Sequence, residues 1–200
     1  MRQETVTIYT FDELSDDAKE TARQMWRDGH LDYDWWEFIY DDFVCILEII
    51  GYDVSERDIL FSGFWSQGDG ASFTGSYSYA KGAAKRIREY APKDKELHAI
   101  TDELCAMQRH NFYQVTGSIS RDLCMYVHEN TMQCSVERDS DNYQGVTDDA
   151  EDTFSDCSRR LAQWLYSQLE WEYEFQMSDD VIEESIIAND AEFHDDGSLA

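Results

Sequence analysis

The fold class follows from residues 57–80, RDILFSGFWSQGDGASFTGSYSYA. Alternate positions share one side of each predicted strand: Ile59, Phe61, Gly63 and Trp65 on the outward run, and Phe73, Gly75, Tyr77 and Tyr79 on the return. A period of two is typical of β-strands, and the glycines of the turn 66–70 tolerate the positive φ that tight turns need. The stretch therefore predicts a β-hairpin.

Further strands and helices are predicted on both sides of this hairpin. Residues 4–10 read as a first strand, and three short runs, 112–119, 123–129 and 132–138, predict a meander beside the hairpin. Helical patterns cover 15–28, 33–50, 94–109, 148–175 and 179–188. Strands in consecutive runs mixed with helices indicate an α+β fold, an antiparallel sheet (hairpin plus meander) packed with several helices, one of them a long C-terminal helix.

The domain organisation is predicted to be simple. The chain has 200 residues, a single proline at position 92 and no linker rich in serine and glycine. Aromatic residues make up 14%, which is too many for a disordered acidic chain. We expect one acidic domain over residues 1–190, followed by a frayed acidic tail over 191–200.

The charge of the chain is extreme and unevenly distributed. Asp and Glu number 43 against 16 Lys and Arg, giving a formal net charge of −27. Residues 161–200 contain eleven acids and no Lys or Arg, whereas six basic residues lie in a basic segment, residues 81–95. Self-repulsion of this size lowers stability. Solubility, adaptation to high salt and imitation of a polyanion all stay open as its reason.

The charge per length is of the same order as that of DNA. Duplex DNA carries one charge per ~1.7 Å, so 27 charges correspond to ~46 Å of duplex, and a compact chain of this length is ~40–45 Å across. Carboxylates spaced i, i+3 and i+4 on a helix stand ~5–6 Å apart. The candidate partner-binding residues are Asp148, Asp149, Glu151, Asp152, Glu170, Glu172, Glu174, Asp179, Asp180, Glu183 and Glu184.

The glycine-rich turn is a second candidate contact site. It lacks the GxxxxGK[ST] pattern of a phosphate-binding loop, and no lysine follows it. A structural turn is the simpler interpretation, and contact with a partner or ligand is the alternative. The residues that would make such a contact are Trp65, Gln67, Asp69 and Ser72.

No pattern in the sequence predicts a metal site, a cofactor site or catalysis. The run from Asp139 to Ala150 resembles a calcium loop but has Gln144 and Ala150 where an EF-hand needs Gly and Glu, so only weak divalent binding stays open. The five histidines form no HExxH or zinc-spaced cluster, and GxSxG is absent. We therefore expect a protein that is not an enzyme and that has no cofactor or metal.

The expected compartment is a reducing cytoplasm. Five cysteines, an odd number, occur without a CxxC pair, and the polar start MRQETVTIYTFDEL does not resemble a signal peptide. No apolar run reaches the ~20 residues that span a bilayer, and an acidic surface is repelled by anionic lipid. Membranes and nucleic acids are thus not expected as direct partners, while a homodimer stays open.

Three stretches of the chain resemble one known family. They are YTFDELSDDAK at 9–19, DWW at 34–36 and FSGFWSQGDGASF at 61–73, of which the last is the most specific. They are similar to small acidic proteins carried by phages and prophages that share an FSGFxSQGDGAxF motif. Some of these are labelled antitoxin of a toxin–antitoxin stability system. The resemblance extends over most of the chain, implies a phage-encoded protein in the bacterial cytoplasm, and supplies no catalytic residue.

Three functional hypotheses follow. The leading one is a binding protein without catalysis that blocks a basic, nucleic-acid-binding host protein, as a DNA-mimic-like anti-CRISPR or anti-restriction inhibitor would. The second is an antitoxin-like module that neutralises a cognate toxin through the aromatic hairpin. The third is a protein that binds or sequesters a small molecule at the glycine-rich turn.

Overall fold

The computed structural model describes residues 7–121, 126–138 and 145–200, and it confirms the α+β class. In chain order the elements are β1 Tyr9–Thr10, α1 Asp16–His30, α2 Glu37–Ile50, β2 Tyr52–Asp53, β3 Ile59–Phe61, β4 Ala71–Phe73, β5 Gly75–Ser78, α3 Ala83–Tyr90, α4 Lys95–His110, β6 Val115–Arg121, β7 Met132–Arg138, α5 Ala150–Gln176, α6 Asp179–Ala188 and β8 Glu192–Phe193. Short 3-10 turns connect several of them.

The chain separates into two compact units. The terminal unit consists of Met1–Trp36 and Trp171–Ala200, and the central unit consists of Glu37–Glu170. The single domain over residues 1–190 stays a prediction.

The terminal unit is built on two packed helices, α1 and α6. Ser15 caps α1 as its spacing predicts, because its Oγ accepts the backbone N–H of Ala18 at 3.3 Å. The apolar core of this unit brings together both ends of the chain: Phe11, Leu14, Ala18, Ala22, Ile182, Ile186 and Phe193. Strand β1 pairs antiparallel with β8, which places Tyr9 opposite Phe193.

The central unit contains a four-stranded antiparallel sheet in the order β2-β5-β6-β7 and a separate pair, β3 with β4. Helix α5 packs closely against the sheet at Gly117 of β6. A Cβ at this position would lie 2.5 Å from the ring of Phe154, so only glycine leaves room for that ring. Helix α2 buries Phe43, Ile46 and Leu47, which lie three and four residues apart and so share one face of the helix.

Several elements differ from those predicted. The first strand is confined to Tyr9–Thr10, and residues 4–6 of its predicted range lie outside the described residues. The hairpin is shorter than residues 57–80, since β5 leaves β4 and pairs instead with β2 and β6. Helix α3 was not among the predicted helices. The run 123–129 lies partly outside the described residues, and its remainder, 126–129, is not a strand.

The prediction of a frayed tail over 191–200 is wrong. Phe193 is completely buried, because an aromatic ring gains more from the core than from water. The backbone of the tail is also held in place, since His194 N donates to Ser198 O at 2.8 Å and Ala200 N donates to Glu192 O at 2.9 Å.

None of the helices within the described residues combines the length and apolarity that crossing a bilayer requires.

Candidate partner-binding surfaces

The terminal unit carries most of the excess charge. Its 66 residues contain 19 Asp and Glu against 4 Lys and Arg, a formal net charge of −15. The 134 residues of the central unit contain 24 acids against 12 basic residues, a net charge of −12. The negative charge per residue is therefore about two and a half times as high in the terminal unit.

The two arginines of α1 are held by carboxylates of the same unit. Arg23 donates to Glu183 at 2.6 Å and to Glu20 at 2.7 Å, and its side chain is only 16% exposed. Its hydrogen bond to Glu20 is the main cause that raises the pKa of its guanidinium. Arg27, also 16% exposed, pairs with Asp179 and donates to the carbonyl of Met177 at 3.1 Å. These cations therefore join α1 to α6 and leave the outer surface to carboxylates.

Most of the eleven acids predicted to contact a partner are accessible. Those that the structure places in solvent are Asp148, Asp149, Glu151, Asp152, Glu174, Asp179, Asp180 and Glu184. Glu170 and Glu183 are half-buried, and Asp179 and Glu183 are already engaged with the arginines of α1.

Glu172 is a correction to that set. It is only 8% exposed, and its Oε1 accepts the side-chain amide of Gln176 at 2.7 Å. The cause is helical spacing, because Glu172 follows Leu169 by three residues and so falls on the buried stripe of α5. Its carboxylate is not available to a partner.

The predicted acids are divided between the two units. Asp148, Asp149, Glu151, Asp152 and Glu170 belong to the central unit, and the others belong to the terminal unit. The first four stand around the start of α5, where acidic side chains also stabilise the positive end of the helix dipole. No ion pair joins these four to a basic side chain within the described residues.

Like-charge crowding does perturb one carboxyl group of the central unit. A hydrogen bond to Asp41, together with the negative charge of Asp41, raises the pKa of Glu56. A basic partner near Glu56 would favour its ionised form.

The two arginines of the basic segment are engaged within the central unit. Arg88 forms a two-pronged contact with the carboxylate of Asp102, at 2.6 and 3.1 Å. Arg86 donates to the carbonyl of Ile49 at 2.9 Å. The lysines of the segment, Lys81, Lys85, Lys93 and Lys95, are exposed.

The hairpin loop, residues 62–70 between β3 and β4, is organised by one carboxylate. Asp69 Oδ2 accepts the backbone N–H of Ser66 at 2.7 Å and that of Trp65 at 3.1 Å. Tyr166 fixes the loop from outside, since its hydroxyl donates to the carbonyl of Gly63 at 2.9 Å. Gly68 has a φ of 99°, and a Cβ there would approach the ring of Tyr126 to 2.9 Å. The glycines therefore have a structural role, as the simpler interpretation predicts.

The four residues of the second candidate site have different environments. Trp65 is 74% exposed and Gln67 is also exposed, so both can meet a partner. Asp69 holds the loop together. Ser72 is fully buried and accepts a hydrogen bond from Arg121 at 3.0 Å, because Arg121 of β6 covers β4, so its assignment as a contact residue is wrong.

An exposed aromatic pair that is not among the predicted site residues, Trp171 and Phe175, lies at the C-terminal end of α5. Their exposed fractions are 65% and 49%. The rings are stacked, with centroids 5.9 Å apart and planes within 7°. The helical spacing itself indicates that these two side chains are exposed. Both residues lie two positions away from a member of the apolar stripe that contains Leu169 and Tyr173, so they fall outside that stripe.

Small-molecule and metal sites receive limited support. A cleft of about 370 Å³ in the terminal unit is lined by Trp26, His30, Ser185 and Asn189, among others. His30 Nε2 is buried there without a hydrogen-bond partner in the described residues.

Within residues 7–121, 126–138 and 145–200, no group of three or more His, Cys, Asp or Glu is placed to hold a metal ion. The calcium-like run starts at Asp139, and its residues 139–144 lie outside the described residues.

Residues 35–179 match a protein family described as a domain of unknown function, DUF8835. The chain belongs to this family. Comparison with curated proteins and comparison with solved structures each gave no match. The DUF8835 region includes the hairpin loop and the aromatic pair, whereas α1 and all but the first residue of α6 lie outside it. The acidic surface made by these two helices is therefore additional to the DUF8835 region.

Proposed function

We propose that the chain is a binding protein without catalysis that blocks the basic, nucleic-acid-binding surface of a host protein. The observation that carries this proposal is the terminal unit, with a net charge of −15 and with Arg23 and Arg27 already held by its own carboxylates. Its outer surface attracts cations and repels polyanions. Electrostatic steering of this kind favours rapid association with a basic protein.

The setting is that of phage counter-defence. The resemblance to small acidic phage and prophage proteins supports a role such as anti-CRISPR or anti-restriction inhibition in bacterial cytoplasm. In such a role the carboxylates stand where the phosphates of a nucleic acid would stand. Direct binding of nucleic acid by this chain is disfavoured by the sign of its charge.

The experiment is capture from bacterial lysate followed by competition. The immobilised chain is expected to retain nucleic-acid-binding proteins at low salt and to release them when duplex DNA is added. A purified captured protein is then titrated with two variants of equal net charge. The terminal-unit variant changes Asp28→Asn, Glu174→Gln, Asp180→Asn and Glu184→Gln, and the central-unit variant changes Asp148→Asn, Asp149→Asn, Glu151→Gln and Asp152→Asn.

The two variants separate a binding surface from bulk charge. At ~0.2–1 kcal/mol for each exposed charge contact, four contacts correspond to a loss of affinity of at least about fourfold and at most several-hundredfold. We expect this loss for the terminal-unit variant and a smaller one for the central-unit variant. Binding that survives 0.5 M salt and both variants unchanged, or that duplex DNA does not displace, refutes the proposal.

A second candidate function is favoured by the hairpin loop. Asp69 fixes this loop and Trp65 stands 74% exposed on it, which suits a specific anchor for one partner, as an antitoxin-like module would need. Co-expression with the product of a neighbouring toxin gene tests it. Rescue that is lost on Trp65→Ala and kept by the terminal-unit variant supports the antitoxin, and the reverse pattern supports the inhibitor.

A further inference from the structure

The aromatic pair is exposed on a unit whose surface is otherwise mostly carboxylate. Trp171 and Phe175 stack one helical turn apart, and the exposed fraction of Trp171 is 65%. Tryptophan is among the residues most enriched in the energetic centres of protein interfaces. We propose that this pair is the anchor through which the terminal unit receives an arginine side chain of its basic partner.

The geometry of the helix supplies the two contacts that a guanidinium prefers. Trp171, Glu174 and Phe175 are spaced i, i+3 and i+4, so they share one face of α5. Glu174 is exposed, and no ion pair joins it to a basic side chain in the described part of the chain. A planar guanidinium stacks on an aromatic face and donates hydrogen bonds in its plane to a carboxylate, whereas a lysine ammonium does so less well. The occupant is therefore an arginine.

The charge of the unit decides between an arginine from a basic partner and contact with a second copy of this chain. Two copies that met at this face would bring together two units of net charge −15. Arg23 and Arg27 cannot supply the cation, because both are held by carboxylates, and Lys19 lies over the ring of Phe11 at 5.4 Å. Because the arginines of α1 are engaged in this way in a second copy too, we assign the arginine to another protein, and this inference rests on the proposed function.

The test compares two fluorescein-labelled probes, nona-arginine and nona-lysine, by fluorescence anisotropy with the full chain at low salt. The Trp171→Leu variant is expected to bind nona-arginine about two- to fivefold more weakly than the parent chain, the size of one cation–π contact, and to bind nona-lysine almost unchanged. Glu174→Gln should weaken nona-arginine binding more than Glu184→Gln does. Near-UV circular dichroism checks that each variant is folded.

Trp65→Leu is the matched control, because Trp65 is also an exposed tryptophan and lies in the central unit. If Trp171→Leu and Trp65→Leu change the ratio of the two affinities equally, the anchor is wrong while the inhibitor function stands. If sedimentation shows a dimer that Trp171→Leu dissociates, the occupant is a second copy and the inference is overturned. If neither probe loses affinity as salt rises, the proposed function itself fails.

Discussion

Replacing Arg23 by methionine should loosen the terminal unit by removing its main internal cation. The guanidinium contacts Glu20 and Glu183 directly and lies 4.0 Å from Asp179, so one substitution leaves three carboxylates of the unit without it. Methionine keeps the length of the aliphatic stem, so the lost term is electrostatic. The carboxylates are between 37% and 61% exposed, and solvent screening reduces their contribution. We therefore expect a loss of about 1–2 kcal/mol in the free energy of opening.

Hydrogen–deuterium exchange of the amides of α1 and α6 measures this loss within the terminal unit. An opening free energy lower by about 1–2 kcal/mol makes these amides exchange about 5- to 30-fold faster under native conditions. Part of the loss should disappear at 0.5 M salt, since the remaining carboxylates repel one another less. Arg57→Met is the control, because the Arg57 side chain is 86% exposed. Equal effects of both variants, or a loss that salt leaves unchanged, would refute the view that Arg23 holds the two helices together.

Three further predictions concern the central unit. Asp69→Ala removes the acceptor of two loop N–H groups and should lower the free energy of unfolding, measured by urea denaturation, by about 1–2 kcal/mol. An unchanged urea midpoint would show that the loop keeps its conformation without this carboxylate. Gly117→Ala places a Cβ 2.5 Å from the Phe154 ring and should destabilise by about 1–3 kcal/mol in the same assay, unless the ring moves without cost. Burial raises the pKa of Cys157 to about 12, so a thiol reagent at pH 8 should label exposed Cys45 well before Cys157, and early labelling of Cys157 would contradict its burial.

Local patterns in the sequence were sufficient for most of the helices. Helix α6 begins at residue 179 and ends at 188 as predicted, because Ile182 and Ile186 give one apolar face and the acids at 179 and 180 mark its start. Helix α3 was not recognised, since only Ala83 and Ile87 of its eight residues are buried and its other side chains are mostly charged or small. Such a helix depends on its packing against α4 more than on its own pattern.

Strand pairing was the part that local patterns could not decide. The alternation from Phe73 to Tyr79 looks the same whether the strand continues a hairpin or pairs elsewhere, because a period of two identifies a face and not a neighbour. In the structure β5 pairs with β2 on one side and β6 on the other. The same non-local packing buries Ser72, whose partner Arg121 lies 49 residues further along the chain.

The sequence predicts where along the chain the acidic residues are concentrated. It predicts only in part which of their side chains are exposed. The excess of acids after residue 160 is visible in the sequence, and the structure leaves most of them exposed. The inward direction of Arg23 and Arg27 was not predictable, because it depends on α1 and α6 meeting across about 150 residues of chain. Glu172 could have been recognised as buried from its spacing to Leu169.

Charge alone cannot give this protein a specific partner. Electrostatic attraction is screened beyond about 8 Å at physiological ionic strength, and it acts similarly on every polycation of equal charge. Specificity needs contacts of defined shape, and two features on different units can supply them, the hairpin loop with Trp65 and the aromatic pair with Trp171. The part of the affinity that persists at high salt reports such contacts. If Trp171→Leu removes the affinity that persists at high salt, the terminal unit both attracts the partner and determines which partner binds. If Trp65→Leu removes it instead, the specific contact lies on the central unit, and the charge of the terminal unit serves to raise the association rate.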